Sequence, residues 1–520
     1  MAARSSRRRP HRFTLPQILL YRAARTWWHR INRQPPAAAC HTLPQGSRRC
    51  AVSNREQASR LEICTIQPIA LDQRHGTAAD LFTVWFGSNL MLLTIVTGGL
   101  AVTVFALPFT WAVAALIIGN LVGAVFMALH AAQGPRLGVP QMIQTRGQFG
   151  SLGSLLVVGI VIVMYVGFLA SNLVLGGEAL TSIAPGVSDT PGIALVGVLS
   201  VVAAIWGHDL IHAYARVMTY VCGLVLVLAF AWIIWVHGLP ADFLARNAFS
   251  VAGLLGTIST AALWQIAYAP YVSDYSRYMP RDTGARPAFW ASYWGCTLGS
   301  VLPMVLGAMI GLASTQKSLV SGLAMLTQGI APLVLVVFSV GIAAANAMNL
   351  YCGALSSLTF GQTLFPRWSP AAPARTITVV ALFAASLAGA LLGKDSFLDN
   401  YTDFILLLLY VLVPWTAINL VDYYLLRHGD YDVASFFRQD GGIYGRVNGV
   451  AVQWYLIGIL VQLPLVATPL YTGPVARAMG GIDLSWIVGL AVTGPGYYWM
   501  ARRSQSRRDA QLARAEQLRA

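Results

Sequence analysis

The sequence predicts an all-α polytopic membrane protein of twelve transmembrane helices. Hydrophobic residues make up 56% of the 520-residue chain and charged residues 11%, less than half the roughly 25% charged of an average soluble protein. Twelve apolar stretches of about 20 residues each suit a helix crossing the hydrocarbon core. Their connecting segments carry basic residues mainly on one side, as the positive-inside rule requires.

In chain order, the spans centre near residues 81–105, 108–132, 151–178, 190–206, 210–237, 251–273, 288–313, 329–360, 376–393, 402–426, 451–471 and 482–501. The fourth is short, and the eighth includes some loop. With the amino terminus inside, the cytoplasmic loops carry ten arginines: Arg136, Arg146, Arg277, Arg281, Arg286, Arg367, Arg375, Arg427, Arg438 and Arg446. The opposite loops carry Arg246, Lys317, Lys394 and Arg477. Both termini are therefore expected in the cytoplasm, as a multi-pass protein of the plasma membrane (the inner membrane of a Gram-negative cell).

The net charge of +15 sits in the tails, with thirteen arginines and one acid, Glu56, in residues 1–60 and six arginines in residues 502–519. No folded basic domain accompanies them, so nucleic acid is not an expected partner; the bilayer is. Residues 1–60 read as a basic, disordered cytoplasmic extension or an upstream-start artefact, 61–502 as the twelve-helix domain and 503–520 as a basic cytoplasmic tail. The six cysteines show no metal spacing, and unpaired thiols are expected. "GHDLIH" sets His208 and His212 one turn apart beside Asp209, half a metal site without a second half; no metal and no cofactor is expected.

Two spans carry interruptions. In the first, "DLFTVWFGSNLMLLT" places Gly87, Ser88 and Asn89 mid-span; in the sixth, Pro270 follows "QIAYA". A broken helix at membrane depth is tolerated where protein or a polar cavity satisfies its freed backbone. The breaks lie five spans apart, at corresponding places of a five-plus-five arrangement.

Polar side chains inside spans are candidate sites. Phe168 and Asn172 of the third span are four apart and share a helix face. A ring beside a carboxamide can stack on a flat heterocycle and hydrogen-bond its edge, although interhelical packing would place the same residues there. Asn346 and Asn349 stand among small residues of the eighth span, and Trp264 beside Gln265 in the sixth. Glu178 and Asp274 are the titratable residues best placed to carry a proton. Asp274, close to Arg277, also suits capping or gating at the inner mouth. Asp422 near Arg427 reads as a structural ion pair. No clustered catalytic constellation marks an enzyme.

"HGTAADLFTVWFGSNLMLLT", "RGQFGSLGSLLVV", "YVSDYSRYMP" and "VPWTAINLVDYYLLRHGDYDV" together resemble the nucleobase:cation symporter-1 family, in its cytosine/purine permease branch, from about residue 61 to about residue 500. The resemblance implies a leucine-transporter-like fold in which helices 1–5 and 6–10 are inverted repeats and helices 1 and 6 are broken. It implies secondary active import of a nucleobase, cytosine or a related purine or pyrimidine, with H+ or Na+ by alternating access, in a monomer. Other flat heterocycles (allantoin, hydantoin, a nucleoside or a vitamin-like base) are the neighbouring substrates, and an integral-membrane enzyme is the alternative of another class.

Carried over residue by residue, the substrate-stacking aromatic and its amide partner fall on Phe168 and Asn172, with phenylalanine where the family has tryptophan. The helix 8 amide falls on Asn349. The helix 6 aromatic falls on Trp264 or Tyr268, and Ser88 and Asn89 lie on the unwound part of helix 1. Sodium-coupled members place hydroxyls where this chain has Ala343 and Ala344. Proton coupling is therefore expected ahead of sodium.

Overall fold

The computed structural model describes residues 66–206, 208–370 and 372–517. The amino-terminal extension and the side chains of His208, Asp209 and His212 lie outside the described residues. Helices occupy each of the twelve apolar stretches, and no strand forms among the described residues. The first stretch is α1 (Ala78–Asn89) and α2 (Leu92–Thr103), followed by α3 (Phe109–Ala131), α4 (Gly134–Leu137) and α5 (Gln141–Phe149). Next come α6 (Ser154–Ile183), α7 (Asp189–Trp206) and α8 (His208–Ala231). The sixth stretch is α9 (Val251–Ile266) with α10 (Ala269–Ser276), and α11 (Ala285–Ala313) is the seventh. A short α12 (Leu319–Leu326) precedes α13 (Ala331–Leu364), α14 (Ala372–Gly393), α15 (Phe397–Leu420), α16 (Gly449–Gln462) and α17 (Ser485–Gln517).

Length and apolarity alone qualify seven of these runs as membrane spans, or eight when the bent pair α1–α2 counts as one. The rest follow from local composition. The run Pro373–Leu426 holds both α14 and α15, separated by a turn at Lys394–Ser396. Helices α7 and α16 are apolar but short, and α17 turns basic beyond Ala501.

The interruptions sit beside, not on, the residues that signal them. In the first span the chain leaves helical geometry at Leu90 and Met91, and α1 and α2 meet at a 60° bend. Gly87 is still helical, and its carbonyl accepts the Leu90 N–H at 3.2 Å. The expected break of the sixth span is only a turn at Ala267 and Tyr268, both of which keep right-handed helical angles, and Pro270 lies in the first turn of α10. Proline lacks an N–H and is tolerated where a helix has no use for one. Pro270 therefore starts the second half-helix rather than breaking the first, and Val251–Ser276 runs on as one span.

Small residues let the helices touch backbone to backbone. A side chain on Gly98 of α2 would overlap the Met304 backbone of α11, and one on Gly307 would overlap that of Ile95. All nine residues of α5 are buried. Asp274 of α10 accepts the Gln141 N–H at 2.8 Å, satisfying an orphan donor of the first turn. At the other end, Arg146 donates to the carbonyls of Phe436 at 2.8 Å and Thr359 at 3.0 Å. Helix α5 thus ties α10 to α13 and to the loop after α15. Asp422 there accepts from Arg427 at 2.9 Å and from Tyr497 at 2.8 Å, the ion pair expected from the sequence.

Candidate functional site

The two interruptions meet α6 and α13 around one enclosed cavity. Ser88, Met91 and Leu93 line it from the first span, Trp264, Tyr268 and Tyr271 from the sixth. Phe168 and Asn172 come from α6, and Met348 and Asn349 from α13. Its volume is about 20 Å³, room for about one water molecule. Both sixth-span aromatics left open by the sequence face this space.

The walls are aromatic rings set edge to face, an arrangement favoured by their quadrupoles. Phe168 meets Trp264 at 6.1 Å between centroids and 85° between planes. Tyr268 meets Trp264 at 6.0 Å and 79°, and Tyr165 meets Tyr271 at 4.6 Å. The Tyr165 hydroxyl also donates to the Pro270 carbonyl at 3.2 Å, fixing the start of α10 against α6.

Amides supply the polar edges. Asn172 Nδ2 donates to Asn346 Oδ1 at 2.9 Å, leaving Asn172 Oδ1 and Asn346 Nδ2 buried without a protein partner. A buried amide atom without a partner costs about 1–3 kcal/mol, so Asn172 Oδ1, on the cavity wall, is primed for an N–H donor. Asn349 Oδ1 accepts from the Tyr271 hydroxyl at 2.6 Å. Its acceptor is engaged, so its N–H donors are what it offers the cavity.

Asn89 takes a different place from the one its position in the interruption suggests. It is fully buried behind the cavity wall: Nδ2 donates to the Trp85 carbonyl at 2.7 Å. Its Oδ1 accepts from Trp264 Nε1 at 2.8 Å and from Ser300 Oγ at 3.0 Å. Asn89 therefore holds the Trp264 ring and does not line the cavity. The reason is the helix turn: Ser88 faces the space, and the next residue points 100° away. Gln265 is likewise directed outward, donating to Asn120 Oδ1 at 2.6 Å.

The two acids part company. Asp274 is buried and caps α5. Glu178 lines a second cavity of about 400 Å³, further along α2 and α6, with residues of α2, α11, α12 and the turn before α15. Ala343 and Ala344 are buried on α13 and bring no side-chain oxygen. Close to the first-span break, the Leu90 carbonyl packs on Gly341. Among the described residues, no group of three or more His, Cys, Asp or Glu is placed to hold a metal.

Sequence reasoning missed Met91, Leu93, Tyr271 and Met348. Tyr271 was within reach, being three residues after Tyr268 and so on one helix face. The apolar three carry no chemical signal that separates them from ordinary core.

A family model described as permease for cytosine/purines, uracil, thiamine, allantoin matches residues 68–489. A Bacillus subtilis (strain 168) protein with a provisional purine-cytosine permease name is 39% identical over 84% of this chain and 95% of its own. The Emericella nidulans purine-cytosine permease fcyB is 22% identical over 82% of this chain and 85% of its own. Among solved structures, Mhp1, a nucleobase-cation-symport-1 family transporter in a closed conformation with bromovinylhydantoin bound, superposes with a TM-score of 0.67. That likeness covers 86% of this chain and 97% of Mhp1 at 17% identity, and it is one of fold.

Proposed function

The chain belongs to the family of permeases for cytosine/purines, uracil, thiamine and allantoin, and from that membership we propose that it imports a nucleobase by symport with a cation. Cytosine or a related purine or pyrimidine is the substrate, the proton comes ahead of sodium as the coupling ion, and access alternates across the membrane. This is a permease family and not one of enzymes.

The observation that carries the reading is the cavity at the two helix breaks. Its walls offer ring faces from Phe168, Trp264 and Tyr268, and its edges offer one amide acceptor at Asn172 and amide donors at Asn349. A nucleobase needs that pair of surfaces: an aromatic partner for its face and complementary donors and acceptors for its edge. At about 20 Å³ the cavity must widen to admit one, which suits a carrier that closes its site between the two sides.

Proton coupling is supported by what α13 lacks. A hard cation is held by about six oxygens, whereas Gly341 beside the first-span break and the buried Ala343 and Ala344 bring no side-chain oxygen. Glu178, in the outer cavity, has the access to external water that Asp274 lacks. We place the protein in the plasma membrane as a monomer with both termini cytoplasmic, residues 61–502 forming the transport domain.

The test is uptake of labelled cytosine, uracil, adenine, guanine and hypoxanthine into proteoliposomes, under an imposed pH gradient and separately under a sodium gradient. Accumulation of at least one base with the pH gradient is expected. Accumulation of none under either gradient would overturn the symport reading.

A further inference from the structure

The outer cavity has the volume that the central one lacks. At about 400 Å³ it falls within the roughly 300–1,000 Å³ usual for small-molecule sites. The two cavities lie in series along the same helices. On α2, Leu93 lines the central cavity and Val96 the outer one; on α6, Asn172 lines the central cavity and Glu178 the outer. Along α15, Phe397 and Leu398 line the outer cavity. One turn further in, the Tyr401 hydroxyl bonds Thr97 Oγ1 at 2.6 Å. Another turn on, Phe404 meets the Phe168 ring at 5.2 Å. On α15 the buried Thr97–Tyr401 contact therefore lies between the roomy outer chamber and the level of the central one.

Charged groups of both signs line the outer chamber, Glu178, Asp189 and Asp395 with Lys317 and Lys394. Asp189 is taken by Lys394 at 2.8 Å. Ser318 Oγ accepts the Val320 and Ser321 N–H groups at 3.1 and 3.4 Å, capping α12. The Glu178 carboxylate, with about four acceptor sites, is half-buried on the cavity wall. Val174, Leu175 and Leu398 form the apolar wall beside it.

On the nucleobase reading above, we propose that this outer chamber is a second, weaker binding site for the same planar base, which docks an N–H edge on Glu178 before the Thr97–Tyr401 contact opens. A carboxylate accepts two parallel N–H bonds from a planar edge as it does from a guanidinium, so bases with adjacent amino and ring N–H donors are held best. The apolar wall covers one face of the base.

Equilibrium binding of labelled cytosine, adenine and guanine to purified protein, without any gradient, tests the site. Two molecules of the best-bound base per chain are expected for the wild type, one tight and one weak. Asn349→Ala is expected to lose the tight one and keep the weak one. Adding Glu178→Ala, or Thr181→Trp to fill the chamber, is expected to remove the weak one, with thermal unfolding showing that each variant is folded. One molecule per chain in the wild type overturns the proposal, as does weak binding in Asn349→Ala that survives both additions. Either result leaves the nucleobase reading standing. Binding of none of the three bases to the wild type overturns the outer site together with that reading.

Discussion

The Tyr271 hydroxyl donates to Asn349 Oδ1 at 2.6 Å, joining α10 of the sixth span to α13 across the central cavity. The bond orients the amide and so sets the edge it presents to the cavity. Tyr271→Phe is expected to weaken nucleobase binding about tenfold, the equivalent of ~1.4 kcal/mol, by freeing that acceptor and letting the amide rotate. Asn349→Ala is expected to abolish uptake while the purified protein keeps its unfolding temperature. Equilibrium binding and proteoliposome uptake, measured side by side, check both.

Phe168 stands between Trp264 and Phe404, where its ring covers one side of the cavity. Phe168→Ala is expected to raise the dissociation constant roughly five- to tenfold, since an aromatic pair contributes about 0.5–1.5 kcal/mol beyond its buried area. Phe168→Trp keeps the face and is expected to transport. A tryptophan variant as inactive as the alanine variant would remove stacking from the account.

Asp274 accepts the Gln141 N–H, a capping role that holds the start of α5 against α10. Asp274→Asn retains an acceptor and is expected to keep both uptake and its pH profile. Asp274→Ala is expected to lose about 1 kcal/mol of stability, in the range measured for helix caps. A flattened pH profile in the asparagine variant would instead make Asp274 the coupling residue.

Ala343 and Ala344 place methyl groups where sodium-coupled relatives are expected to have hydroxyls. The wild type is expected to show no stimulation of uptake by sodium at fixed pH. Ala343→Ser with Ala344→Thr adds two oxygens and is expected to introduce measurable sodium dependence. Sodium stimulation of the wild type would show that backbone oxygens suffice.

Helix positions were legible because the membrane imposes a length and a composition on every span, and Phe168, Asn172 and Asn349 were legible as polar or aromatic residues inside apolar runs. What escaped was direction. Ser88 and Asn89 are neighbours of similar chemistry, yet one lines the cavity and the other braces Trp264, a difference set by one residue of helical rotation. Pro270 announced an interruption but not its side, because proline fits a first turn as well as it spoils a middle one. Met91 and Met348 carry no mark separating them from core, and no pattern in the sequence announced the separate outer chamber around Glu178.

Gly98 against Met304 and Gly307 against Ile95 leave no gap in which α2 and α11 could slide. The second half of the first span and the seventh helix are thereby locked backbone to backbone, and the 60° bend between α1 and α2 falls at Leu90 and Met91. A bulky residue at Gly98 would force the two helices apart, and the carrier would fail in its stroke even with every cavity residue intact.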